Sequence, residues 1–330
     1  MTKAHAHHSK ALKLQQVQNM INSDTILDVE NILENTGYAP ILSTIRPSVD
    51  LAGFEVALRR EFARLLHIYK VAADGDIYKL LEAYSLMIEA ENMAIILQAI
   101  IGNNVDEEAL EKILIPVGKY GMRHYRRIME NTDVQVASDL IINKKLRKAA
   151  QQALSKSNDP NEQAFLLNSA LSHVSFSIIS DVAPNWAKLE IEILNTLTIC
   201  RSINLGIDPD EWLIPNIGSV YKQRSLLSNM GNPEDVMSYL MPTFPVPKVL
   251  QLALDSETPV ITLEDEALRY LILRRYREFA LYGSRKEAVL DFFSIKLAEI
   301  EDIGRILLSK KQHVPAEKIR SLLYPIYRRN

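Results

Sequence analysis

Apolar residues recur every three or four positions along most of the chain, the spacing that gathers them on one stripe of an α-helix. Leu12, Leu14, Val17 and Ile21 form the first such stripe. A second helix is predicted from Ile26 to Asn35, with Ser23 or Asp24 able to cap it, and Gly37 and Pro40 read as its stop. A long helix follows from Asp50 to Ala73, with Arg59, Arg60 and Arg64 on its exposed side, and Asp74-Gly75-Asp76 breaks it. In the next helix Leu81, Tyr84, Ile88, Ile95 and Ala99 share one face, and Asn92 falls on the same face. A polar side chain on a buried stripe needs a partner, and Glu89, one turn back, is a candidate. Lys119 to Ile142 reads as two short helices around Asn131-Thr132-Asp133, and Tyr221 to Met241 has the same form around Asn232-Pro233. Leu263 to Tyr282 is another long helix; Ser155 to Pro160 and Pro242 to Pro259 read as linkers. Only His173 to Ile179 alternates with a strand's period, and its long helical context makes it helix. The predicted class is all-α.

The pattern returns. Glu89, Asn92 and Ile96 are echoed by Glu192, Asn195 and Ile199, and again by Glu299, Asp302 and Ile306. Each copy runs into a loop with a β-branched residue and a helix-start signal: Val105-Asp106-Glu107-Glu108, Ile207-Asp208-Pro209-Asp210 and Val314-Pro315-Ala316-Glu317. Leu-Ile-Pro stands at 114–116 and again at 213–215. The predicted unit is helix, short loop, helix, used three times. A spacing of about a hundred residues describes lobes rather than a short-repeat solenoid. The expected division is a tail over 1–10 and lobes over 11–118, 119–218 and 219–330, with helices exchanged between lobes at loose boundaries.

Composition narrows the function. The chain is 47% hydrophobic and 7% aromatic with a net charge of −3, which gives no general attraction for nucleic acid. No apolar run is read as reaching the 18 or so residues of a membrane span, and the N-terminus has no apolar secretory core, so a soluble protein is expected. Cys200 stands alone within the second repeat and reads as a packed thiol in a reducing compartment. His5, His7 and His8 belong to a polar tail; adventitious metal binding is the lesser reading. The basic cluster Lys144, Lys145, Arg147 and Lys148 is a solvated face or, less readily, an anionic contact. There is no P-loop, GxGxxG, HExxH or CxxC. Glu89 with Glu91, and Glu190 with Glu192, are spaced two apart and point to different faces of a helix. A tripled Glu-x-x-Asn/Asp suits lobe packing better than catalysis, since one active site needs its residues once. No catalytic residue, cofactor or metal site is expected.

The order and triplication of these elements resemble the C subunits of archaeal A-type and bacterial V/A-type ATP synthases, a family similar to the d subunits of eukaryotic V-type ATPases. Glu89-Ala90-Glu91-Asn92-Met93 fits that family's repeated element best. Glu190-Ile191-Glu192-Ile193-Leu194-Asn195 keeps the acidic residue and the Asn, and the third copy has Asp302 where Asn is expected. Leu27 to Leu42 resembles the family's opening, and Glu299 to Arg305 with Val314 to Arg320 its ending. The resemblance covers about residues 11–325. It implies three helical lobes around a pseudo-threefold axis in a funnel, and a non-catalytic central-stalk component peripheral to the cytoplasmic membrane face. Its implied partners are the proteolipid ring and the central rotor shaft, between which it passes torque, with the membrane met only through partners. Candidate interface residues are Arg123, Arg126, Arg127, Lys144 and Lys145. The competing reading is a soluble α-helical scaffold of another complex.

Overall fold

The structure is a computed structural model that describes residues 12–118, 120–215, 217–283 and 285–327. The expected tail over 1–10, with its three histidines, lies outside the described residues. Those described are helical with no strand, so the class is all-α. His173 to Ile179 lies inside the Pro160–Val182 helix.

The order of elements recurs along the chain. Short helices lead to a pair of long ones: Leu51–Val71 with Gly75–Ile101, Pro160–Val182 with Pro184–Leu205, and Pro259–Tyr282 with Ala288–Lys311. The second member of each pair carries the repeated triplet and is called here a signature helix. All three signature helices end in the same way. A left-handed residue, Asn103, Gly206 or His313, lets the next N–H turn back to a carbonyl five residues earlier. The bonds are Asn104 to Ala99, Ile207 to Ser202 and Val314 to Ser309, each 2.9 Å. This satisfies a carbonyl that the helix end would otherwise strand.

Local chemistry sets the helix starts. Thr25, rather than Ser23 or Asp24, caps Ile26–Leu33, because Thr25 and Asp28 satisfy each other's backbone N–H. Asp50, Asp133, Asn143 and Asp159 cap the helices that follow them. Proline acts as a starter more often than the sequence pattern implies. Pro40 opens a one-turn helix over Ala39–Leu42 instead of stopping one, since a first-turn residue needs no N–H donor. Pro247 begins a helix, Pro247–Leu254, inside the expected second linker. The expected first linker is a tight turn over 155–159 between two packed helices. The second loop, at Asp208, yields turns but no helix, so helix–loop–helix is complete only in the first and third copies. There Trp212 is drawn into an apolar cluster with Ala153, Phe165, Leu166 and Ala170.

The described residues divide into two compact units, whose limits fall within the Gly75–Ile101, Glu107–Ile113 and Pro259–Tyr282 helices and after Pro116. One unit comprises 1–81, 111–116 and 271–330. In it the third signature helix packs on Leu51–Val71 and Ile26–Leu33. Phe293 sits at the centre of an aromatic cluster, edge-on to Phe62 at 5.7 Å, Tyr69 at 5.4 Å and Phe292 at 5.0 Å. Arg59, expected on the exposed side, is half-buried and gives its Nε–H to the Lys112 carbonyl. The other unit comprises 82–110 and 117–270. There Pro160–Val182 packs between Lys144–Leu154 and the second signature helix, and Ala183-Pro184 breaks the chain between the long helices.

The signature helices are buried on most sides rather than along one stripe. In the first, Ala83, Leu86, Ala90 and Met93 are buried as well as Leu81, Tyr84 and Ile88, whereas Ile95 and Ala99 are only half-buried. Glu190 and Glu192 are therefore both buried despite pointing apart, while Glu91 is exposed beside buried Glu89. Contrary to the sequence expectation, Gly75–Ile101 and Pro160–Val182 have the length and composition of a membrane span; 61% and 44% of their apolar windows are buried within the protein.

Because Phe293 is fully buried and touches three rings, Phe293→Ala should cost about 3–5 kcal/mol. Urea unfolding of the purified variant checks this; a loss below about 1 kcal/mol would mean that the aromatic cluster does not anchor its unit.

Candidate functional site

The repeated triplet occupies positions i, i+3 and i+7, which follow one another down a single helical stripe. All nine residues are buried: Glu89, Asn92, Ile96, Glu192, Asn195, Ile199, Glu299, Asp302 and Ile306. Buried carboxylates and amides are costly unless hydrogen-bonded. Their partners therefore define what the triplet does.

The middle residue holds the segment that returns after the helix. Asn195 donates Nδ2–H to the Ile214 carbonyl at 3.0 Å and accepts the Ile214 N–H on Oδ1 at 2.8 Å. One amide thereby satisfies both backbone groups of one buried residue, in the second Leu-Ile-Pro. Asp302 has no N–H to give and instead accepts the Tyr324 N–H, at 3.1 Å to Oδ2. It also takes a 2.8 Å ion pair from Arg305, whose guanidinium lies over the Tyr324 ring. Asn92 donates to the Tyr125 hydroxyl at 2.9 Å. Burial, assisted by the charge of Glu89, holds that phenol protonated well above its ordinary range, while the Asn92 bond works the other way.

The first residue holds the start of a later element. Glu192 accepts the N–H of Ser219 at 2.5 Å and of Val220 at 3.0 Å, in the first turn of the Gly218–Lys222 helix. A carboxylate there also meets the positive end of the helix dipole. Gly218 has φ +86°, and a Cβ on it would fall inside the Glu192 carboxylate. Gly118, with φ +65°, presents the same bare backbone to Glu89. Only glycine permits both the left-handed turn and the close approach. Glu299 has another set of partners: the Leu12 N–H at 2.8 Å, the Tyr38 hydroxyl at 2.5 Å and the Lys296 ammonium at 2.6 Å.

Sequence pattern alone does not single out glycines 118 and 218 or Tyr38. The doubled Leu-Ile-Pro, followed each time by glycine, is the available signal for the first two. Glu30 also escapes the pattern; it is fully buried and accepts the Ser48 N–H at 2.6 Å. The candidate interface residues Arg123, Arg126 and Arg127 lie on the Met122–Met129 helix, and Lys144 and Lys145 open Lys144–Leu154. Arg123, Arg126, Arg127, Lys144 and Lys145 are all exposed. Burial pushes the Cys200 thiol up to about 12, which leaves it a poor nucleophile. Among the described residues no group of three His, Cys, Asp or Glu side chains is placed to hold a metal ion.

Two outcomes follow. Gly206 also has a left-handed φ, but a Cβ there meets open space. Gly206→Ala should cost about 1–2 kcal/mol for the conformation alone, and Gly218→Ala clearly more, because the Glu192 carboxylate must also move. Equal urea-unfolding losses would show that the Glu192 contact does not require glycine. Burial raises the Asp302 carboxyl from 3.8 to about 7, opposed by Arg305 and the Tyr324 N–H. The folded chain therefore holds an extra proton between those values. This group's stabilising contribution is complete below about 4 and is lost as pH rises through about 7. Asp302→Asn should flatten the fall in urea midpoint between about pH 4 and 8; parallel curves for variant and parent would discount Asp302 as its source.

A search of curated proteins finds no match to this chain. A family model described as the ATP synthase (C/AC39) subunit matches residues 1–322, and the chain belongs to that family.

Proposed function

We propose that the chain is a non-catalytic central-stalk component of an A/V-type ATP synthase or ATPase, joining the rotor shaft to the membrane proteolipid ring. The observation that carries this reading is the family match over residues 1–322. The buried triplets support it, because Glu192, Asn195, Glu299 and Asp302 are spent on holding backbone. Asn195 and Glu192 have their hydrogen bonds filled by Ile214, Ser219 and Val220, an arrangement that suits a body transmitting force rather than one binding and releasing substrate. On this reading 11–118, 119–218 and 219–330 are three lobes of one repeated design. The chain works at the cytoplasmic membrane face and meets the membrane through its partners.

Docking on the polar loops of a ring calls for accessible charge. Arg123, Arg126, Arg127, Lys144 and Lys145 supply a basic set on two helices close together in the chain, and we assign them to the interface. Raising salt from about 0.1 M to 1 M shortens the screening length from about 10 Å to about 3 Å. The chain should bind purified ring and shaft components at low salt and leave them at high salt, with the five-fold Ala variant weaker at low salt. Binding to neither partner at low salt would sink the assignment in favour of a scaffold for another complex. The isolated chain should show no ATP turnover, measured as phosphate release; turnover lost on Glu89→Gln would make it an enzyme instead.

A further inference from the structure

In the first two copies the leading Glu faces the stretch that opens the copy after it. Glu89 lies against Gly118, just before 119–218, and Glu192 binds Ser219 and Val220, the first residues of 219–330. The third copy departs from this pattern. Its Glu299 instead accepts the N–H of Leu12, at the opening of the first copy, 287 residues earlier in the chain. We propose that Glu299 is a latch that closes the third copy onto the first, and that this seam is where the unit containing Leu12 and Glu299 opens.

The seam is built as a continuous set of polar contacts. Lys296 bridges the Tyr38 hydroxyl at 2.8 Å and Glu299 at 2.6 Å, with its ammonium 4.3 Å from the Tyr38 ring centre. Further along, buried Lys310 gives its ammonium to the Ile21 carbonyl at 2.6 Å, at the negative end of the Leu14–Asn22 helix. Arg320 donates to the Asn22 side chain at 2.6 Å. The Leu14–Asn22 helix also packs on Ala316–Leu322 and on Pro325–Tyr327. Thus, among the described residues, the Leu14–Asn22 helix and the two helical segments over 316–327 are held by each other.

The difference from the other two junctions is covalent. The Glu192 contact closes a loop of 27 residues, so a broken bond leaves its partners at high effective concentration and it re-forms. At the seam Leu12 and Glu299 are joined only through a separation of 287 residues. Glu299 also holds both the entry residue Leu12 and the Tyr38 hydroxyl, so its loss loosens two segments of the first copy together. The proposal is independent of the assignment to a rotary machine, because it uses only contacts within one unit and concerns opening rather than partners.

Hydrogen exchange read by mass spectrometry on the full chain tests it. Glu299→Gln keeps the size and removes the charge that holds Lys296. We expect peptides over 14–22 and 316–322 to exchange at least about tenfold faster together, with 219–222 unchanged. Glu192→Gln should give the converse, faster exchange at 219–222 with the seam intact. The unaltered chain supplies a measurement that does not depend on a variant folding. With urea added below the unfolding transition, 14–22 and 316–322 should share one opening equilibrium and one urea dependence, and open before 189–200. Protection at 14–22 unmoved by Glu299→Gln would overturn the latch. So would separate opening equilibria for 14–22 and 316–322 in the unaltered chain.

Discussion

A buried carboxylate or amide that holds the backbone of a distant segment is the constraint on which the described structure depends. Side chains such as Glu192 and Asn195 sit in helices enclosed by apolar residues, where an unsatisfied charge or amide is costly to leave. The geometry removes that cost by aiming each one at backbone N–H or C=O groups that would themselves be stranded. Two liabilities cancel, and in doing so they fix where a loop returns and where a helix starts. Hydrophobic burial alone would hold these helices together with some freedom to slide. A 2.8 Å bond between Asn195 and Ile214 permits little.

The same logic explains why the three copies vary. Asn can donate and accept at once, so Asn195 satisfies both groups of Ile214. Asp302 accepts only and needs a cation, which Arg305 supplies from the next turn of its own helix. Tyr324 completes that arrangement by donating its N–H to Asp302 and its hydroxyl to Glu301, while its ring face receives the Arg305 guanidinium. The change from Asn to Asp is thus accompanied by a local set of charges, and it leaves the third copy with a carboxyl that titrates where the first two have none.

Much of this is legible in the residues. The all-α class, the paired long helices and the tripled Glu-x-x-Asn/Asp follow from periodicity and self-similarity. The Asn92 argument, that a polar residue on an apolar stripe needs a partner, leads to the right kind of interaction, and Tyr125 receives an Asn92 bond. That partner lies 33 positions away, and no local spacing encodes it. The choice of cap at Thr25 over Asp24, and the use of Pro40 and Pro247 as starters, turn on dihedral angles that composition leaves open. The enclosure of the signature helices on most sides is hidden for another reason. Glu89, Glu190 and Glu192 look like solvent-facing residues until their neighbours are known.

Anchoring by buried polar groups also bears on the kind of motion open to such a chain. Packed apolar surfaces resist separation roughly in proportion to area, whereas a buried hydrogen bond resists the first fraction of an ångström and then fails. A body held at its junctions by a few short bonds is therefore rigid under small loads and yields, when it yields, at discrete places. For the coupling role proposed above this is a useful combination, since deformation under load wastes work. The weakest of those places is set by covalent connection rather than by bond strength. Glu192 and Glu299 make bonds of similar length, but only the former is backed by a short loop. Chain connectivity, more than the chemistry of either carboxylate, selects the seam between Leu12 and Glu299 as the point of first opening.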